Sequence, residues 1–183
     1  MSDATSEQRD DSYIVSESER DRPEGTIEVI YPKYLMDASF STPEETQEEG
    51  SPYAETLYAN EDGTMTLYST PEELQQFRQD NVDNLQKQVD RSAQEDIRIE
   101  VSDDYREVTL YVGPDATADA VNYGMYRASV CASVIQICDT YGKNFSISVS
   151  AVDETTGEEK EHYDQDSYLD YQSDLSWVGK GGE

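Results

Sequence analysis

The chain has 183 residues and carries 41 Asp and Glu against 13 Lys and Arg, a formal net charge of −28 at pH 7. A surface of this charge repels nucleic acid and anionic lipid, and it favours a basic partner or a very salty solvent. No run reaches the roughly 18 apolar residues that a membrane span requires, so we expect no membrane insertion. The polar N-terminus lacks the apolar segment of a secretory signal, which predicts a cytoplasmic protein or a component of an assembled particle such as a virion.

The first 53 residues are rich in acids and poor in apolar sequence. Residues 1–25 combine low hydrophobicity with high charge, which predicts a disordered acidic arm. Residues 26–53 open with an apolar stretch that alternates as a strand does until Pro32 interrupts it. We therefore expect an edge strand there, followed by an acidic linker with a single helical turn.

Residues 54–163 are predicted to form the core domain, because apolar periodicity and turn residues alternate along them. A hairpin at 56–69 leads into a helix at 71–92. Thr70 and Glu73 have the spacing of a capping box, which marks the start of that helix. The first half of the domain is thus a hairpin followed by an amphipathic helix.

The second half of the predicted domain repeats this order. A hairpin at 97–112 precedes a helix at 116–141, which is apolar on two sides and is expected to be buried on both. A third hairpin follows at 145–163, with charged residues on its return strand that discourage edge pairing. The order hairpin–helix, hairpin–helix, hairpin predicts an α+β fold, an antiparallel sheet of about five to seven strands with two helices on one face.

Small residues recur at a spacing of four along the second helix, at Gly124, Ala128 and Ala132. Their small side chains form a groove that permits close packing. This groove is expected to meet either the sheet of the same chain or a second copy of the chain, so a homo-oligomer through this helix stays open.

Residues 164–183 form a C-terminal tail that holds the only tryptophan. Ser167 is suited to cap a short helix, which would place Tyr168, Tyr171, Leu175 and Val178 on one face and Trp177 on another. Three interpretations stay open: a helix docked on its own domain, a short docking peptide that folds on a partner, and disorder.

No motif in the chain points to catalysis, a cofactor or a metal. His162 is the only histidine and lies in a charged, solvated segment. Cys131 and Cys138 have no histidine nearby, so they are expected to be buried free thiols rather than zinc ligands. The abundance of Asp and Glu is the only support for a hydrolase that uses carboxylates alone.

The sequence therefore predicts a non-enzymatic protein that works by binding another protein, and its negative charge favours a basic partner. Its acidity has two interpretations. In the first, the acidity is an adaptation to a salty solvent, and the protein is an assembly, adaptor or structural component of a halophile or a virus. In the second, the protein is a nucleic-acid mimic that inhibits a nuclease or other DNA-binding protein by occupying its basic channel. The even spread of charge favours the first. The predicted partner-binding residues are Tyr168, Tyr171, Leu175, Trp177 and Val178 in the tail and Gly124, Ala128 and Ala132 on the second helix.

Overall fold

The computed structural model describes residues 12–179, in which four α-helices and two β-sheets form a mixed α+β fold. The first eleven residues of the predicted disordered arm lie outside the described residues. Residues 12–25 run along the first sheet, where the Arg20 guanidinium donates to the carbonyl oxygen of Ala59 at 3.2 Å.

The chain enters the fold through strand β1 (Ile27–Tyr31), which is followed by helices α1 (Lys33–Ser39) and α2 (Pro43–Glu49). The sequence predicted only one helical turn in this region. Helix α1 was missed because its buried side chains directly follow the alternating pattern of β1. Helix α2 begins at Thr42, which forms a capping box with Glu45.

The first sheet contains β1, β2 (Thr56–Ala59) and β3 (Met65–Ser69) in the order β1-β3-β2, with every neighbour antiparallel. The predicted hairpin of β2 and β3 is confirmed, and β1 is an edge strand as expected. Val29 of β1 pairs with Leu67 of β3, so this sheet buries an apolar face close to the N-terminus.

The second sheet has the order β4-β5-β6-β7. Its strands are β4 (Ile97–Val101), β5 (Glu107–Val112), β6 (Ser148–Asp153) and β7 (Glu158–Asp164). Strands β5 and β6 are parallel. A parallel pair needs a long crossover connection, and the long helix between these two strands supplies it. The prediction of one antiparallel sheet is therefore wrong. Similar hairpin patterns do not reveal which hairpins share a sheet.

Two long helices pack on the second sheet. Helix α3 (Pro71–Gln94) starts at the predicted capping box of Thr70 and Glu73. Helix α4 (Ala118–Thr140) begins at Thr117, whose side chain accepts a hydrogen bond from the backbone N–H of Ala120. Helix α4 packs against α3, β5 and β6, and also against α1 and β1. Its burial on both sides is therefore confirmed, and it contacts strands of both sheets.

The end of α4 makes a close contact with β1. Gly142 has a φ of +75°, and a Cβ atom on it would lie 1.9 Å from the carbonyl oxygen of Ile30. The backbone N–H of Ile30 donates to the carbonyl oxygen of Tyr141 at 3.1 Å. Only glycine accepts both this backbone conformation and this close approach, so this position joins the first sheet to the central helix.

The tail packs on its own domain as turns and a short 3-10 helix, Leu175–Trp177, in place of the predicted α-helix. Ser167 does not cap a helix. Its hydroxyl donates to Asp164 Oδ1 at 2.9 Å and also accepts from the backbone N–H of Asp164 at 2.9 Å. This local turn uses the side chain that a helix start would have required.

Across residues 12–179, no helix has both the length and the apolar character needed to cross a membrane.

Candidate interaction site: a tyrosine-lined cleft

A cleft of about 720 Å³ opens where five separate segments meet. They are the residue after α1, the C-terminal end of α3, the N-terminal half of α4, the end of strand β7 and the tail. Six aromatic side chains line the cleft: Phe40, Tyr123, Tyr126, Tyr163, Tyr168 and Tyr171. We call this surface the tyrosine-lined cleft.

Phe40 stands at the edge of this cleft with 86% of its surface exposed. It ends α1 in the left-handed conformation, with a φ of 58°, which costs a bulky residue roughly 1–2 kcal/mol. Its ring centroid lies 6.5 Å from that of Tyr126, whose hydroxyl donates to the carbonyl oxygen of Ala38. A large exposed ring on a strained backbone is a candidate binding position.

Behind Tyr163, which lines the cleft, lies a buried cluster of hydroxyl groups. Tyr34 donates to Ser129 Oγ at 2.9 Å, and Tyr163 lies 3.2 Å from the same oxygen. Burial raises the pKa of Tyr34 and raises that of Tyr163 to about 12, so both phenols stay neutral. The ring of Tyr168 meets Tyr34 edge-on at 5.1 Å, and Tyr171 lies 4.9 Å from Tyr163. The tail tyrosines therefore rest on a fixed aromatic base.

A buried carboxylate holds the tail in this position. Glu161 of β7 is only 6% exposed. Within residues 12–179 it forms no salt bridge with a Lys or Arg side chain. The Tyr171 hydroxyl donates to Oε2 at 2.5 Å, while the Asp174 backbone N–H and Trp177 Nε1 donate to Oε1 at 3.2 and 3.4 Å. Burial, and then the hydrogen bond to Glu161, raise the pKa of Tyr171 to about 12.

Three charged side chains surround the cleft. The Arg91 guanidinium lies 4.8 Å from the ring centroid of Tyr123, and its Nε is 3.6 Å from Glu95 Oε1. The other oxygen of Glu95 is buried and has no hydrogen-bond partner in the described chain. Asp119 lies exposed in the first turn of α4. Arg91 is the only basic residue among those that line the cleft.

The predicted partner-binding residues of the tail lie in two different places in the structure. Tyr168 and Tyr171 lie in the cleft. Leu175, Trp177 and Val178 pack against the core elsewhere, and the last two line a smaller hollow beside Pro114.

The small-residue face of α4 is covered by the chain itself. A Cβ on Gly124 would lie 3.1 Å from Leu110 of β5 and 3.5 Å from Ser92 of α3. Ala128 and Ala132 are fully buried. In this fold these three residues form the seam between α4 and its own neighbours, and a partner does not reach them.

Sequence reasoning missed Phe40, Tyr123 and Tyr126 as candidate binding residues. Tyr126 was assigned to a buried face of the second helix, and Phe40 fell in the predicted linker. One available signal was the capping box that begins two residues after Phe40, because it marks a sharp change of chain direction. The other was the polar edge of the helix around Asp119 and Tyr123.

Among residues 12–179, the polar groups considered for catalysis or metal binding lie as follows. Within residues 12–179, no three His, Cys, Asp or Glu side chains converge as metal ligands would. His162 Nδ1 lies 3.0 Å from Ser150 Oγ on the exposed side of the second sheet. Glu159 accepts a hydrogen bond from Ser150 rather than orienting the imidazole, which is the role of the acid in a catalytic triad. Cys131 and Cys138 are buried free thiols, as predicted.

No family model, curated protein or solved structure matches this chain. The residues of the tyrosine-lined cleft are therefore the basis for a functional proposal.

Proposed function

We propose that this chain is a non-enzymatic protein-interaction protein that binds its partner through the tyrosine-lined cleft. The observation that carries the proposal is the exposed Phe40 ring beside a concave surface of tyrosines. Tyrosine and phenylalanine are enriched in interfaces because they bury a large area, and tyrosine adds a hydroxyl that can find a partner. The acidic surface is compatible with an assembly, adaptor or structural role in a salty solvent.

The rigidity of the cleft supports this proposal. Tyr168 and Tyr171 rest on the buried rings of Tyr34 and Tyr163, and Glu161 holds the tail in place. Binding by side chains that are already ordered loses less conformational entropy than binding by flexible ones. A partner would therefore meet a preformed surface.

The test is a matched pair of substitutions at exposed apolar residues. Phe40→Ala removes the ring at the edge of the cleft, and Leu169→Ala removes a side chain that is 66% exposed but does not line the cleft. A photo-crosslinking residue at position 122, an exposed position that lines the cleft, first identifies a protein that contacts the chain. The purified partner is then titrated against each variant by calorimetry.

We expect Phe40→Ala to weaken the affinity about 30-fold, the loss typical of an aromatic anchor, and Leu169→Ala to leave it unchanged. Equal affinities for both variants and the unmodified chain would refute binding through the cleft. Capture of a nuclease or other DNA-binding protein with no dependence on Phe40 would instead favour the nucleic-acid mimic.

A further inference from the structure

Arginine side chains stack on tyrosine rings four times within residues 12–179. The pairs are Arg20 on Tyr58, Arg22 on Tyr68, Arg91 on Tyr123 and Arg98 on Tyr111, with centroid distances of 5.3, 5.7, 4.8 and 3.9 Å. The planar guanidinium suits an aromatic face better than the compact ammonium of lysine does. Tyrosine on this molecule therefore already serves as a support for arginine.

One of these pairs lies at the cleft and shows how a guanidinium fits there. Arg91 covers Tyr123 while its Nε approaches the Glu95 carboxylate. Its side chain remains 56% exposed, so this internal contact is only loosely held. Arg91 covers the ring of Tyr123 and approaches one oxygen of Glu95. The other tyrosines of the cleft have no arginine stacked on them within residues 12–179.

The charges of the cleft favour a cationic occupant. Two carboxylates, those of Glu95 and Asp119, line the cleft, against the single guanidinium of Arg91. A guanidinium donates in its plane to carboxylates and stacks through its face, so one arginine satisfies both kinds of group. The net charge of −28 adds long-range attraction for a basic partner.

We infer that the tyrosine-lined cleft binds an arginine-bearing segment of a basic partner protein, whose guanidinium groups stack on the cleft tyrosines as Arg91 does on Tyr123. This inference rests on the proposed function. A second copy of the chain is a poor occupant because it carries the same large negative charge. The phosphates of a nucleic acid are repelled for the same reason.

The test uses two short peptides, spaced by glycine and serine, that carry several arginines or the same number of lysines. Fluorescence anisotropy measures their affinity for the full chain and for four variants, two that remove an arginine and two that remove a carboxylate. Arg91→Ala removes the internal competitor from the cleft. Arg98→Ala is the matched control, because it also removes an arginine that stacks on a tyrosine but lies on the second sheet, outside the cleft.

We expect the arginine peptide to bind more tightly than the lysine peptide. Arg91→Ala should strengthen its binding about 2- to 5-fold, since the face of Tyr123 and the carboxylate of Glu95 become free, and Arg98→Ala should leave it unchanged. Asp119→Asn should weaken binding by a similar factor, whereas Asp103→Asn, the same charge change in an exposed turn outside the cleft, should not.

Equal affinities for both peptides, with the same effect from Arg91→Ala and Arg98→Ala, would overturn the inference, because that result describes diffuse charge attraction. Weaker binding by Arg91→Ala, or a single-stranded oligonucleotide that competes for the cleft, would overturn it as well. A partner that depends on Phe40 but docks through a neutral or acidic segment would reject the arginine inference and leave the proposed function intact. Loss of the Phe40 dependence itself would reject both.

Discussion

A single substitution at Glu161 should detach the tail from the folded domain. Glu161→Ala leaves the donors of Tyr171, Asp174 and Trp177 without their acceptor. A hydrogen bond to a charged group contributes about 1.5–3 kcal/mol, and water can replace part of that at these partly exposed donors. We therefore expect a loss of about 2–4 kcal/mol in tail docking. Glu161→Gln keeps one carbonyl oxygen as acceptor and should cost about 1 kcal/mol.

Trp177 makes this loss visible because it is the only tryptophan in the chain. Its emission should shift to the red in Glu161→Ala while the far-ultraviolet circular dichroism is retained, since residues 164–179 of the tail contain no α-helix. The control is Glu159→Ala, which removes an exposed carboxylate from the same strand. Unchanged Trp177 emission in Glu161→Ala, with a denaturation midpoint equal to that of the control, would show that this carboxylate does not hold the tail.

Three further predictions concern the fold. Gly142→Ala should lower the free energy of unfolding in urea by about 3 kcal/mol or more, because it adds a backbone clash to the strain of a positive φ. The control is Gly157→Ala, at a φ of +72° with open space around it, which should lower the free energy of unfolding by only about 1–2 kcal/mol. Burial raises the pKa of Tyr31 and Tyr163 to about 12 in the folded chain, above the value of about 10 in the unfolded chain. The contribution of these two neutral phenols to the free energy of unfolding should therefore be fully present below pH 10 and be lost between pH 10 and 12. Over that range the tyrosinate absorbance should rise together with unfolding. The melting temperature should increase from about 0.1 M to 1 M KCl, as the Debye length falls from about 10 to 3 Å; an unchanged value would exclude self-repulsion as a determinant of stability.

The long helices and hairpins were predictable because their signals are local. Thr70 and Glu73 stand three residues apart and define the start of α3 without reference to any other segment. The pairing of strands is not local. Strands β5 and β6 became parallel neighbours through α4, and β1 joined β3 across both α1 and α2. A repeated hairpin and helix order is compatible with one sheet or with two.

The cleft was only partly predictable for the same reason. Tyr168 and Tyr171 were selected as members of one helical face, yet the structure brings them together by turns that Ser167 and Glu161 stabilise. Phe40 comes from a segment more than a hundred residues earlier in the chain. No periodicity within one segment indicates that five segments meet around one concave surface.

The two interpretations of the charge make different demands on the proposed interaction, and the cleft satisfies both. In dilute salt, the net charge of −28 attracts a basic segment over a long distance. In a concentrated salt solution the same attraction is screened within about 3 Å, so affinity has to come from short-range contacts. Stacking of guanidinium on tyrosine and burial of Phe40 are short-range contacts of this kind. A partner selected by the cleft would therefore keep much of its affinity as salt rises, whereas one selected by diffuse charge would lose it.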